Sequence, residues 1–336
     1  MKTGKYKKTT GYLSLCYHYI RKTKKSDPFP RLLGNSVNDF FKHIKMLRKN
    51  YEIIQLDEAR DFLYSKFILK SKRLGMLFTF DDGLSDHYLA GQILSNYRIK
   101  GVFFIPTCIL KDKLPANPTI IHYSLAIYGI NRFLKSYHFA LEKFNLDFDK
   151  YGIKFKKCID DPWVVIGIIK NTFKYILSYS LSRNVLLHIY NNLLVKDYPN
   201  ALNIMHMKLE QIRDLLNMGH SIGVHSHSHI SVAAVDLNKF EFQNEIVMPK
   251  KYLENTFGIT IYAISYPFGE KKDCFTAQAL LSRTKEYSMA FSIENKLNMK
   301  DTSPLELGRY MLKSTDDENK LKEVIETIIE RRGVVL

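Results

Sequence analysis

The sequence predicts an α/β fold organised around a parallel sheet, with a helical segment inserted part-way along. Three observations carry this reading. Short apolar runs of strand length alternate with stretches of helical spacing over most of the chain. Two of those runs lead into clusters of carboxylates or histidines, the position at which α/β barrels place their catalytic groups. The 336 residues, 46% hydrophobic and 25% charged, suffice for one large domain or two smaller ones with a full core. An α/β barrel and an open doubly wound sheet both meet this pattern.

Taken in order, residues 13–20 read as the first strand and 37–50 as a helix opened by a Ser36 cap. Residues 76–80 form a strand running into Asp81-Asp82-Gly83, residues 85–97 have helical spacing, and 101–106 are again an apolar strand. After an interruption, an amphipathic helix over 208–218 leads to a short strand at 221–224 and a long helix over 238–257 that ends at Gly258. A strand at 261–265, a helix at 276–284 and a strand at 288–292 follow, then a helix over 318–332 and a terminal apolar run at 333–336. The interruption, residues 110–206, is rich in aromatic and aliphatic side chains such as Trp163, Ile169, Phe173 and Tyr190, with lysines between them. It reads as several helices inserted between two barrel units: a subdomain packed on the barrel, a lid over its mouth, or a membrane-facing amphipathic patch. The chain is thereby divided into 1–109 and 207–336, two parts of one barrel, and the insertion 110–206.

Fifty basic residues against 34 acidic ones give a net charge of +16, which favours anionic partners. Residues 1–25 hold eight lysines and arginines and no acid, a solvated terminus or a contact for anionic lipid. No RRM, KH or helix-turn-helix signature accompanies the charge, so no nucleic-acid partner is expected. Four cysteines lie far apart without CxxC spacing and read as reduced, buried thiols. The short apolar part of the first twenty residues contains His18 and is followed by lysines instead of a cleavage site, which suits a strand better than a signal peptide. No stretch approaches the roughly 20 apolar residues that span a bilayer. The expected location is cytoplasmic, with a peripheral position at the inner membrane as its variant.

The chemistry concentrates in a few places. Adjacent carboxylates at Asp81 and Asp82 repel one another unless a cation or a proton is present, which invites a metal for one and a base role for the other. In Gly219–His229, four histidines occupy ten positions, and one turn of helix would put His225 and His229 on one face, a spacing that suits a divalent metal. On the same geometry His227 points elsewhere, and His220, ahead of the strand, reads as structural. A strand also runs into the turn Tyr266-Pro267-Phe268-Gly269, and Arg309 lies by another strand end.

Together these residues resemble the polysaccharide deacetylase family, the NodB-homology carbohydrate esterases. Thr79-Phe80-Asp81-Asp82-Gly83, the segment Gly219–His229 with its G-H-x-I-G-x-H-[ST]-x-x-H pattern, and the Pro-Phe-Gly turn occur in the family's order. Tyr17-His18-Tyr19 and the Tyr-Pro-Phe-Gly turn are similar to the surface-glycan and poly-N-acetylglucosamine branch. The resemblance implies a distorted (β/α)7 TIM-like barrel with a large helical insertion. It implies a divalent metal, Zn²⁺ above all, held by Asp82, His225 and His229, and Asp81 as general base toward an attacking water. It further implies the backbone N–H of Phe268 as oxyanion donor, and Ser226 fits as a hydrogen-bonding support of the histidine segment. Two departures stand out. Many members carry an arginine two residues before the proline of the third motif, where this chain has Ser265, so what orients Asp81 is open and Arg309 is the candidate. A late Leu-x-His motif, the family's general acid, has no counterpart at Arg332-Gly333-Val334-Val335-Leu336, and His18 is the candidate for that role. The implied activity is N-deacetylation of an N-acylated sugar, free or linked to a nucleotide or lipid pyrophosphate, in cytoplasmic O-antigen- or capsule-type biosynthesis. The alternatives are O-deacetylation of a related carbohydrate and a catalytically silent glycan-binding or assembly protein.

Overall fold

Six consecutive residues at Tyr12–Tyr17 are completely buried, which requires packing on both faces, and this strand (β1) lies at the centre of the structure. The computed structural model describes residues 10–22, 27–70, 74–153, 161–231 and 239–331. The lysines at 2–8 and 24–25, Cys158 and the apolar run 333–336 lie outside the described residues. Six further strands continue a parallel sheet: β2 (Gly75–Phe80), β3 (Val102–Ile105), β4 (Ser221–Val224), β5 (Ala263–Ser265), β6 (Met289–Phe291) and β7 (Arg309–Met311), with Glu52–Ile53 paired to β2 off this path. Their order is β7-β1-β2-β3-β4-β5-β6, and every pairing along it is parallel. The circle closes through the segment leading into β7, where the Leu307 amide donates to Ala290 at 2.9 Å and the Ser292 amide to Leu307 at 2.8 Å. The sheet is therefore a nearly closed (β/α)7 barrel, and the open doubly wound alternative is excluded.

Helices pack outside it: α1 (Val37–Asn50), α2 (Leu56–Leu63), α3 (Asp86–Asn96), then α4 (Asn117–Lys143), α5 (Pro162–Asn171) and α6 (Tyr179–Ile189) in the insertion. They continue with α7 (Leu209–Asn217), α8 (Met248–Phe257), α9 (Lys271–Thr284) and α10 (Glu318–Arg331). The Ser36 cap forms as the sequence indicates: the Asp39 amide donates to Ser36 Oγ at 3.0 Å and the Ser36 amide to Asp39 Oδ2 at 3.3 Å. The long helix expected over 238–257 runs over 239–257 to its Gly258 cap, but as Lys239–Phe242, a π-helical turn at Gln243–Val247, and α8. Pro249 has no N–H to give the carbonyl of Glu245, so the regular ladder cannot run through.

His220 is structural, as its position suggested. Its Nδ1 accepts from the Gly101 amide at 3.0 Å, and Nε2 lies 3.0 Å from the Gly91 carbonyl and 2.9 Å from Ser95 Oγ. A nitrogen that accepts an amide proton cannot hold one of its own, and burial pushes the imidazole down to about 4. The unfolded chain therefore binds the extra proton first, and folding stability contributed by neutral His220 is lost as pH falls from about 6.5 towards 4. Urea unfolding at pH 7 and pH 5 is expected to show a loss of roughly 1–2 kcal/mol from this residue, absent in His220→Gln.

The insertion builds its own core from residues such as Phe133, Tyr137, Ile169, Leu186 and Leu193, and that core continues into Tyr19, Phe29 and Leu84 of the barrel mouth. Its returning end clamps the Asp-Asp-Gly turn. The Ser85 amide donates to Met205, the Met207 amide to Gly83 at 3.0 Å, and His206 Nδ1 lies 3.1 Å from the Asp82 carbonyl. Residues of this segment thus share a core and also line the mouth of the barrel.

Candidate active site

The ladder between β1 and β2 pairs Tyr17 with Phe80 and is prolonged by the Asp81 amide, which donates to the Tyr17 carbonyl at 3.1 Å. Asp81 and Asp82 therefore emerge at the carboxyl end of the barrel, level with His18. One ladder further round, the His225 amide donates to the Ile105 carbonyl at 3.0 Å, which brings the end of β4 to the same mouth.

Asp82 and the two histidines converge. Asp82 Oδ1 lies 3.2 Å from His225 Nε2 and 3.0 Å from His229 Nε2, and all three side chains are buried. The helical arrangement expected for 225–229 is not what unites them: these residues follow β4 as a tight loop. Ser226 and His229 adopt positive φ (+57° and +63°), and the His229 amide donates to Ser226 Oγ at 3.0 Å. Ser226 thus supports the loop, while His227 turns away to Thr107 Oγ1 and Asp112, each at 2.8 Å. Glu245, carried inward by the π-helical turn, accepts from the His227 and Ser228 amides at 3.1 and 3.0 Å and from Ser228 Oγ at 2.8 Å. Tyr179 of the insertion donates to the same carboxylate at 2.7 Å.

This trio fits a divalent cation on its own chemistry. Asp82 Oδ1 is buried and has no hydrogen-bond donor. His225 Nδ1 donates to the Ser265 carbonyl at 2.9 Å, which leaves Nε2 with a lone pair aimed at that same oxygen. Lone pairs gathered round one point are stable only around positive charge. A second cluster, Cys16, His18 and Asp81, is poorer as a ligand set. Burial pushes the Cys16 thiol well up, and Asp81 is engaged elsewhere.

Asp81 forms a two-point ion pair with Arg309: Oδ1 to Nη1 at 2.7 Å and Oδ2 to Nη2 at 2.6 Å. Arg309 is itself wholly buried and steadied by the Ser292 carbonyl at 2.7 Å and Ser265 Oγ at 2.8 Å. Ser265 Oγ also donates to Asp81 Oδ2 at 3.0 Å. The guanidinium that orients Asp81 thus comes from β7, and Ser265 leaves room for it on β5. Against the upward push of burial, Arg309 holds the Asp81 carboxyl well below its ordinary range.

His18 sits at the edge of this centre, Nε2 4.0 Å from Asp82 Oδ2, with its side chain 31% exposed. Phe268 lies on the opposite rim at φ +62°, its ring edge-on to His229 at 4.7 Å and under Lys174 Nζ at 4.3 Å. Asp82, Ser226, His229 and Phe268 all hold left-handed backbone, a strain of about 1–3 kcal/mol apiece that clusters at functional sites. The described strand that closes the barrel is β7. The β7 residue on the cleft is Met311. The cleft, about 450 Å³, also takes residues that the sequence reading did not single out: His122, Lys170 and Tyr175 of the insertion. No local motif marks them.

A (β/α)7 barrel with an arginine-locked aspartate beside an Asp-His-His trio at its carboxyl mouth has the architecture of a deacetylase-type barrel. Residues 182–285 match the family described as polysaccharide deacetylase. The Asp81-Asp82 motif lies outside that matched stretch, which begins within the last part of the insertion. Among solved structures, the Streptococcus pyogenes deacetylase PplD in complex with acetate is similar at TM-score 0.55 and 13% identity, over 94% of this chain and 98% of that one. IcaB from Ammonifex degensii is similar at 0.53 and 16%, over 94% and 96%. The de-N-acetylase from Aggregatibacter actinomycetemcomitans is similar at 0.51 and 14%, over 94% and 99%. At these identities the likeness is one of fold. Comparison with curated proteins by sequence finds no match.

Proposed function

We propose that this protein is a metal-dependent hydrolase that removes the acetyl or other acyl group from an N-acylated sugar in cytoplasmic surface-polysaccharide biosynthesis. The observation that carries the proposal is the orphaned Asp82 Oδ1 between two imidazole nitrogens, next to an aspartate locked by arginine. Asp82, His225 and His229 would hold the cation, Zn²⁺ by donor type. When bound, it supplies Lewis-acid activation of water and of the acyl carbonyl.

The protein's own groups divide the remaining work. Asp81 Oδ2 already accepts from Arg309, Ser265 and, at 3.7 Å, the Cys16 thiol. Oδ1 accepts only from Arg309 and keeps a lone pair for the proton of the attacking water. Arg309 keeps that carboxylate ionised and fixed in rotation. The Phe268 N–H would donate to the acyl oxygen as negative charge grows there. His18, at the solvent edge, would pass a proton to the leaving amine and recover it from water.

The test is acetate release from free, nucleotide-linked and polyprenyl-linked N-acetylated sugars, with metal analysis. Chelation is expected to abolish release and added Zn²⁺ to restore it; release that persists in fully stripped protein would refute the metal's role. Binding of glycan without release by metal-loaded protein would favour the silent, glycan-binding alternative.

Among the described residues no helix is long and apolar enough to cross a membrane. A peripheral contact is supported instead by α5, whose Trp163 and Val164 are 63% and 47% exposed on the helix that also lines the cleft. Trp163 is the chain's single tryptophan. Its emission is expected to shift to the blue with vesicles rich in phosphatidylglycerol, and the shift to weaken in Val164→Asp. An unchanged spectrum would rule out this contact.

A further inference from the structure

One wall of the candidate cleft comes from the insertion, and two of its polar groups have no partner among the described residues. His122, on α4, lies with Nδ1 3.2 Å from the Tyr19 hydroxyl, the two rings edge to face. Burial keeps the Tyr19 phenol protonated, and His122 is the one hydrogen-bond partner of that hydroxyl among the described residues. The phenol therefore donates to Nδ1, and the neutral ring carries its own proton on Nε2. Nε2 has no partner among the described residues and is not sealed off.

Lys170, on α5, lines the same wall and forms no ion pair among the described residues. The other two lysines of the cleft are compensated: Lys174 by Asp273 at 2.8 Å and Lys272 by Glu270 at 3.6 Å. An ammonium and a neutral N–H donor lining one cleft, both without a partner among the described residues, are single-point donors. Such donors suit the tetrahedral oxygens of a phosphate better than the planar fork of a carboxylate, which selects arginine.

We propose that His122 and Lys170 form an anion subsite, supplied by the insertion, that reads a phosphate linking the N-acylated sugar to its carrier. The proposal rests on the deacetylase reading for the sugar and deepens it to a phosphate-linked substrate. It also divides the labour within the chain, since the barrel carries the reacting groups and the insertion selects what is brought to them.

Two measurements test it. The first compares acetate release from UDP-N-acetylglucosamine, from a polyprenyl-diphosphate-linked N-acetylglucosamine and from free N-acetylglucosamine, in the parent protein, Lys170→Gln, Lys170→Arg and His122→Ala. Loss of a charge-assisted hydrogen bond predicts that Lys170→Gln lowers kcat/KM for a phosphate-linked sugar roughly 10- to 100-fold more than for the free sugar, chiefly through KM. Lys170→Arg is expected to recover most of this, and His122→Ala to show a smaller selective loss. Selectivity confined to the UDP or to the polyprenyl substrate identifies the carrier. Equal losses on all three sugars, or none, would overturn the subsite. The second measurement is UDP binding by calorimetry to chelator-treated protein, where neither metal nor turnover contributes. Tenfold weaker binding in Lys170→Gln supports the subsite even if no sugar is deacetylated, an outcome that would remove the hydrolase reading alone. Binding of UDP that is indifferent to both residues would overturn a nucleotide carrier, and with an unselective polyprenyl substrate would overturn the proposal.

Discussion

Asp81→Asn is expected to lower acetate release by about 10²–10⁴-fold, the range over which a positioned base acts, while the protein still binds its cation. The substitution keeps the shape of the side chain and one of its two acceptors towards Arg309, but an amide has no proton affinity at neutral pH. The cation site is spared because Asp82, His225 and His229 meet without help from Asp81. Activity assayed beside metal content decides the matter. A variant that is inactive and metal-free would make Asp81 a ligand, and one that is active would send the base role elsewhere. Asp82→Ala should show the opposite signature, with cation and activity lost together.

Arg309→Met is expected to be the most destabilising single change at the site, by about 3–5 kcal/mol, because it leaves the ionised Asp81 buried without its counter-charge. Both partners of the pair are nearly sealed from solvent, so water cannot replace the guanidinium. The loss should shrink markedly when Asp81→Asn is combined with Arg309→Met, since the double variant buries no isolated charge. Denaturant unfolding of the two single variants and the double variant measures this coupling. Additive losses would mean that the pair observed between β7 and the end of β2 contributes nothing as a pair.

The residues at the reacting centre were legible because their chemistry is local. An Asp-Asp pair after an apolar strand and a histidine pair after another need only short spans of sequence to be noticed, and both lie where the barrel puts them. The same local reasoning misjudged how His225 and His229 meet. Spacing by four suits a helix, but the Ser226 hydroxyl captures the His229 amide and closes a loop instead.

Beyond the meeting of Asp82 with His225 and His229, which the family resemblance implied, what the order of residues determined by itself was the class of fold and the capped helix at Val37–Asn50. Each follows from periodicity or from residue type over a few positions. What only the tertiary structure decided was the partner of Asp81, 228 residues away on the strand that closes the barrel, and the wall that the insertion turns towards the cleft. Contacts of that kind are set by ring closure of the sheet and by packing of a second core against its mouth. Both are global, and no short stretch of the chain encodes them.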